Sequence, residues 1–257
     1  MAQGIISKSF LILLLAAKTA GAASLVQEWD VRLAGITATK ATLSFDITPA
    51  AWRLALAARM RGPMSLAFSW DNLSESSGRI GEGRIIPSRH AVENHWEGKN
   101  SGFTISYDEG GVFASRADSI PPSSLKVSDT PPPELVPGTR DFVTALVEGG
   151  MFIAQNGRCP PSLPLYSGRK RYEMDITDAG AEMVDGKPAR HCRFDLFPYV
   201  REGGKPPKSW FWRRNGRDRK PDPIDIWMSY DSNLGIAVPV KCAFTSDLGD
   251  VEMTPEK

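Results

Sequence analysis

Ala41-Thr-Leu-Ser-Phe-Asp-Ile47 decides the fold: Ala41, Leu43, Phe45 and Ile47 alternate with Thr42, Ser44 and Asp46. Successive side chains of a strand point to opposite faces, so an apolar residue at every second position marks a half-buried antiparallel strand. The pattern continues outward. Trp52, Leu54, Leu56, Ala58 and Met60 repeat it, and Leu66, Phe68 and Trp70 alternate with Ala67, Ser69 and Asp71. Phe103-Thr-Ile-Ser-Tyr107 repeats it again and runs into a Glu109-Gly-Gly111 turn. Further strands read at 171–176, 190–197, 224–230 and 235–245. Short turns between such strands give a meander of hairpins.

Two segments interrupt the strands. Six prolines fall within 121–137, a stretch that cannot supply ladder donors regularly and reads as an extended surface crossing. After it, Thr139-Arg-Asp-Phe-Val-Thr-Ala-Leu-Val-Glu148 predicts one short helix over about 140–148, with Thr139 or Asp141 as its cap and Gly149-Gly150 as its stop. A long meander must dispose of its edges, and curling is the usual solution. The expected fold is therefore all-β: a single curved antiparallel sheet forming a half-open barrel or β-spiral, with one short helix after a Pro-rich crossing. Its inside is either filled by side chains and a plugging helix or left as a ligand cavity.

The chain has 257 residues, 41% hydrophobic and 24% charged, which suits a globular protein with a real core and excludes a disordered or fibrous one. Its formal charge of +1 leaves no global field to attract nucleic acid. Residues 1–22 read as a signal peptide: Lys8, the apolar run Phe10-Leu-Ile-Leu-Leu-Leu-Ala-Ala17, then small residues at Ala20 and Ala22. The run is too short for a transmembrane helix, which needs about 20 residues. A mature domain over 23–257, located in the periplasm with no transmembrane segment, is the expectation.

An oxidising compartment gives the three cysteines a reading. Cys242 shares one side of a strand with Ile236, Val238, Val240 and Phe244 and looks like a buried small hydrophobe. Cys159 stands in the loop-like Asn156-Gly-Arg-Cys-Pro160 and Cys192 in the strand-like Arg190-His-Cys-Arg-Phe194, so Cys159–Cys192 is the expected disulfide, with three reduced thiols as the alternative. No Cys or His pair has zinc spacing, and no metal or cofactor is expected.

The combination of Trp29-Asp-Val-Arg-Leu-Ala-Gly-Ile-Thr-Ala-Thr-Lys-Ala-Thr-Leu43, Gly138-Thr-Arg-Asp-Phe-Val-Thr-Ala-Leu146, Asn156-Gly-Arg-Cys-Pro160, Gly168-Arg-Lys-Arg-Tyr172 and Pro239-Val-Lys241 resembles the DUF3108 family of exported bacterial proteins. The likeness covers nearly the whole mature chain. Family members typically carry Pro after the Asp at position 141, where this chain has Phe142. The resemblance implies a periplasmic curved sheet similar in outline to lipoprotein-carrier half-barrels and β-spiral envelope proteins, and it adds to the case for a Cys159–Cys192 bridge. It implies no enzyme, because the family has no assigned function.

Candidate chemistry is sparse. His90, His95 and His191 stand in no Gly-x-Ser-x-Gly or His-Glu-x-x-His context, and no enzyme is expected. Gly78-Arg-Ile-Gly-Glu-Gly83 lacks the Lys-Ser/Thr ending of a phosphate loop and reads as a hairpin turn, and Asn72-Leu-Ser74 reads as a turn. Trp52, Leu56, Phe68, Trp70, Phe103 and Tyr107 would line the concave side, either as plain core or as a groove for an apolar or lipid-like ligand. The helix would plug that groove with Phe142, Leu146 and Val147 facing in and Asp141 at the mouth. Trp210, Trp212, Arg213, Arg214 and Arg217 lie in a segment with eight basic and two acidic residues over 201–220, read as a solvated hairpin or as a patch for an anionic partner. A non-enzymatic envelope protein binding an apolar ligand is the leading expectation, and an envelope scaffold acting through protein contacts is the alternative.

Overall fold

A computed structural model describes residues 21–121, 131–199 and 222–256. The leader 1–22 lies outside these except for its last two residues, as do most of the proline crossing and all of Trp210, Trp212, Arg213, Arg214 and Arg217.

The first half of the chain forms β1 (Ala23–Leu33), β2 (Ile36–Ile47), β3 (Ala51–Met60), β4 (Trp70–Gly81), β5 (Arg84–Trp96), β6 (Lys99–Tyr107) and β7 (Phe113–Ile120). The second half forms β8 (Leu163–Tyr166), β9 (Arg171–Val184), β10 (Lys187–Pro198), β11 (Ile224–Asp231), β12 (Ile236–Ser246) and β13 (Gly249–Pro255). One sheet holds all of them, in the order β7-β6-β5-β4-β3-β2-β1-β13-β12-β11-β10-β9-β8. Every neighbouring pair is antiparallel. Two meanders thus run away from the seam where β1 pairs with β13, Trp29 opposite Pro255 and Leu33 opposite Val251.

The far ends of the meanders curl back toward each other without pairing as β7 with β8. Between them runs the segment leading into the long helix. The Arg140 N–H donates to the Pro164 carbonyl at 3.0 Å and the Arg140 carbonyl accepts from the Tyr166 N–H at 2.8 Å, while the Arg140 guanidinium donates to the Gly111 carbonyl at 3.1 Å. Val136, Phe103, Ile105, Tyr107 and Tyr166 pack together across this opening. The half-open barrel is therefore sealed by side chains and one strap of chain rather than by a strand ladder.

Among the described residues two helices occur, α1 (Met64–Ala67) and α2 (Phe142–Asn156), besides a 3-10 turn at Pro133–Leu135. The second runs well beyond the expected end at about 148. Gly149-Gly150 is not its stop: both glycines are interior, and Gly150 lies so near β12 that a Cβ there would come within 2.1 Å of the Ala237 carbonyl oxygen. Gly157, left-handed at φ 66°, supplies the C-cap. α2 lies in the concave side against β3, β4, β5, β8, β11 and β12. Val143 and Val147 join Trp29, Phe45, Trp52, Leu54 and Ile236 in the largest core cluster.

Other local readings change as well. The alternation Leu66, Phe68, Trp70 is not a strand throughout: Gly62-Pro63 turns the chain into the single turn α1, and β4 begins only at Trp70. Asn72-Leu-Ser74 lies within β4. The register shift in β12 between the partners of Trp227 and Met228 breaks the period at Val240, and Ile236 to Val240 are all buried.

Cys159, just beyond α2, is bonded to Cys192 in β10, and both are buried. Cys242 is a free thiol whose pKa burial pushes up to about 12. Among the described residues no helix is long and apolar enough to cross a membrane.

Candidate functional site

The residues expected to line one groove fall into separate environments. Trp52 is 2% exposed, with Leu56 packed against the same core, and α2 covers them. Phe103 and Tyr107 belong to the cluster at the barrel opening. Phe68 is 42% exposed and stands 6.3 Å from the Trp96 ring, while the Trp70 indole N–H donates to the Asn94 side chain at 2.9 Å. The turn at Gly62-Pro63 carries Phe68 to the rim, whereas Trp70 keeps the strand parity of Ser74 and Ser76, which pair with Leu56 and Leu54, and so lies on the concave side at the end of β4. Phe142 also departs from expectation: it is 41% exposed and packs edge-on to Tyr172 at 5.7 Å, whereas Leu146 and Val147 do face in.

Asp141 is not at a mouth. It is fully buried and caps α2, where its carboxyl accepts from the Thr144 N–H at 2.8 Å and the Thr144 hydroxyl at 2.6 Å. The hydroxyls of Ser76 on β4 and Tyr107 on β6 donate to it at 2.7 Å each. His90 on β5 completes the cluster, with Nδ1 at 2.8 Å from Ser76 Oγ and 3.2 Å from Asp141 Oδ1. Burial pushes the His90 pKa below its ordinary value, against the upward pull of Asp141. Ser76 has one proton for two neighbours, so the set is satisfied when it donates to Asp141 and accepts from Nδ1–H. A catalytic triad needs the opposite arrangement, with the hydroxyl on one imidazole nitrogen and the carboxylate on the other. Here both approach the same nitrogen in a sealed interior, so the cluster joins three strands to the start of α2.

An apolar opening lies on the other flank of α2. Phe142, Leu146, Leu165, Met174, Phe194 and Ile226 are among the side chains that line this groove of about 110 Å³ between α2 and β8–β11. Among the described residues no charged or hydrogen-bonding side chain enters its lining. A polar cleft of about 510 Å³ lies at the barrel end, where Arg79, Arg84 and Arg140 face Glu82, Glu109 and Glu148. Arg140 and Glu148 pair at 2.7 Å. Burial raises the Glu148 pKa, against the pull of that guanidinium. Three cations against three acids give the cleft no net charge with which to select an ion.

On the outer face, His191 lies between Glu182 at 2.9 Å and Asp225 at 2.7 Å and stacks on Trp227 at 4.3 Å. The Trp227 N–H donates to Glu182 at 2.8 Å, and this bond with the His191 contact holds the Glu182 carboxyl below its usual range. Both ring nitrogens of His191 are thus engaged. No group of three metal-binding side chains occurs among the described residues.

The model of the family described as "Protein of unknown function (DUF3108)" matches residues 28–255. The chain belongs to the DUF3108 family. No curated protein matches this DUF3108 protein. Among solved structures it is similar to a beta-barrel-like protein of the domain of unknown function DUF1849 from Brucella abortus, at 10% identity and a TM-score of 0.49, over 92% of this chain and 97% of that one. It is also similar to a DUF1329 family protein from Desulfovibrio piger, at 9% identity and a TM-score of 0.21, over 93% of this chain and 85% of that one. At these scores neither likeness carries an argument about the DUF3108 chain, whose architecture rests on its own strand register.

Proposed function

We propose that this DUF3108 protein is a non-enzymatic, exported binding protein that holds an apolar or lipid-like ligand in the groove between α2 and β8–β11 and serves the cell envelope from the periplasm. The observation that carries the reading is a groove of about 110 Å³ whose described lining residues are all apolar. Pockets for drug-sized molecules run to about 300–1,000 Å³. The groove therefore suits one slender chain, such as an acyl tail, better than a fused ring system. The buried Cys159–Cys192 bond supports export, since structural disulfides persist in oxidising compartments.

Organic extraction of the purified protein, with mass spectrometry beside a control protein, tests the reading together with uptake of a fluorescent fatty acid. Stoichiometric lipid or saturable uptake is expected, and Ala145→Phe, which fills the groove, should abolish it while the protein stays folded. An empty extract with no uptake would sink the proposal. It would favour a scaffold that meets a protein partner along β7, whose Phe113–Ile120 backbone pairs only with β6 among the described strands.

A further inference from the structure

The groove beside α2 has two unlike ends. One is shut: Met228 and Ile153, 4% and 8% exposed, pack there on the Cys159–Cys192 bond and Ala237. The other opens beside Phe142, the most exposed of the lining residues, on the first turn of the helix. Strand register carries the lining from this open end toward the β8–β9 turn, since Leu163 stands opposite Met174 and Leu165 opposite Tyr172. Side-chain contacts complete the path. Phe142 meets the Tyr172 ring at 5.7 Å, the Tyr172 hydroxyl shares a hydrogen bond with the Ser167 side chain, and the Lys170 N–H donates to Ser167 Oγ at 3.1 Å. The turn so reached, Gly168-Arg-Lys-Arg171, is basic. Arg171 pairs with Glu173, whereas Arg169 and Lys170 have no ion-pair partner among the described residues. Arg169 acts across space on Asp118, but the Arg116 guanidinium already holds that carboxylate at 2.9 Å. Against the two cations stands Asp222, two residues before Ile224 of the lining, so the described mouth keeps a positive excess.

We infer that the ligand of this groove is an anionic single-chain amphiphile, its chain end against the Cys159–Cys192 cluster and its carboxylate or phosphate at the mouth beside Arg169 and Lys170. The inference rests on the groove reading above and adds the ligand's charge and orientation. Burial fixes the orientation. A charged head at the shut end would lie among Met228, Ile153 and the disulfide with no hydrogen-bond partner, which a buried ion does not tolerate. At the open end the head keeps its water, and the two unpaired cations select its sign. The Arg169 guanidinium offers a planar fork that suits carboxylate and phosphate alike, and the Lys170 ammonium adds a mobile point charge. A cationic head would meet repulsion at the same place, and a neutral one would gain nothing from either side chain.

Calorimetric titration of the purified protein with decanoate, decyl phosphate, decanol and decylammonium, near neutral pH and below micellar concentrations, tests it. Both anions should bind at least about threefold tighter than decanol, and decylammonium weakest, with added salt narrowing the spread. The tighter of the two anions tells a free fatty acid from a phosphate lipid. Arg169→Gln/Lys170→Gln should bring both anions down to the affinity of decanol, while decanol binding and the thermal midpoint stay at wild-type values. Lys187→Gln, an exposed cation at the β9–β10 turn, should leave all four affinities unchanged. If decanol binds as tightly as the anions, or the double variant keeps the preference, the inference falls and the groove reading stands. If none of the four binds, both fall together.

Discussion

At the scale of single residues, Asp141 binds more of the molecule together than any other polar group described here. Its carboxyl accepts hydrogen bonds from Ser76, Tyr107 and twice from Thr144, all of them buried. Asp141→Ala removes a helix cap and strands several buried donors, each of which costs about 1–3 kcal/mol when left unsatisfied. The expected loss is about 3 kcal/mol, read as a lower urea midpoint, with Thr144→Val losing about 1 kcal/mol by giving up one hydroxyl bond. His90 adds a pH dependence. Its folded pKa lies below the ordinary 6.5, so on acidification the unfolded chain takes up a proton that the folded one refuses. Stability from this group is whole above that value and falls as pH drops through it. Urea midpoints should decline between about pH 7 and pH 5 in the wild type, and His90→Gln should flatten the decline. Equal slopes in the two proteins would exclude His90 as the source.

At the scale of the element, α2 shows why two adjacent glycines are not equivalent. Gly150 allows the helix to touch β12 backbone to backbone, whereas a Cβ at Gly149 would meet only Pro160 at an ordinary 3.6 Å. Gly150→Ala should therefore cost at least about 1–3 kcal/mol through forced displacement of α2. Gly149→Ala should gain up to about 1 kcal/mol from helix propensity. Thermal unfolding of the pair checks both signs. The same glycines mark where sequence reading ran out. A glycine that ends a helix and one that permits close approach look alike in the local sequence, and only the strand opposite separates them. The strands themselves were legible because period two is written residue by residue, as in Ala41 to Ile47. The Ser76, His90, Tyr107, Asp141 and Thr144 cluster was not, since its members come from three strands and a helix with no spacing in common. Phe68 was misplaced because alternation of apolar residues continues across Gly62-Pro63, where the chain turns.

At the scale of the whole molecule, the barrel's weak place is where its two meanders meet. Along the β1–β13 seam a ladder of five residue pairs holds the strands, but between β7 and β8 it is, among the described residues, the strap through Val136 and Arg140, with the rings around Tyr166, that spans the opening. Gly168 marks its tightest point: the residue is left-handed at φ 79°, and a Cβ there would come within 2.2 Å of the Phe103 ring. Gly168→Ala must both occupy an unfavourable backbone region and push Phe103 aside, at a combined cost of about 2–4 kcal/mol. Because β7 and β8 each have a single neighbour among the described strands, that cost should appear as local opening before it appears as global unfolding. Hydrogen exchange should therefore accelerate in β6, β7, β8 and the strap, while the amides of β1, β2 and β13 keep wild-type protection. Uniform acceleration across all thirteen strands would instead mean that the sheet opens as one cooperative unit, and that the strap at Arg140 secures the barrel no less firmly than the ladder on the opposite side.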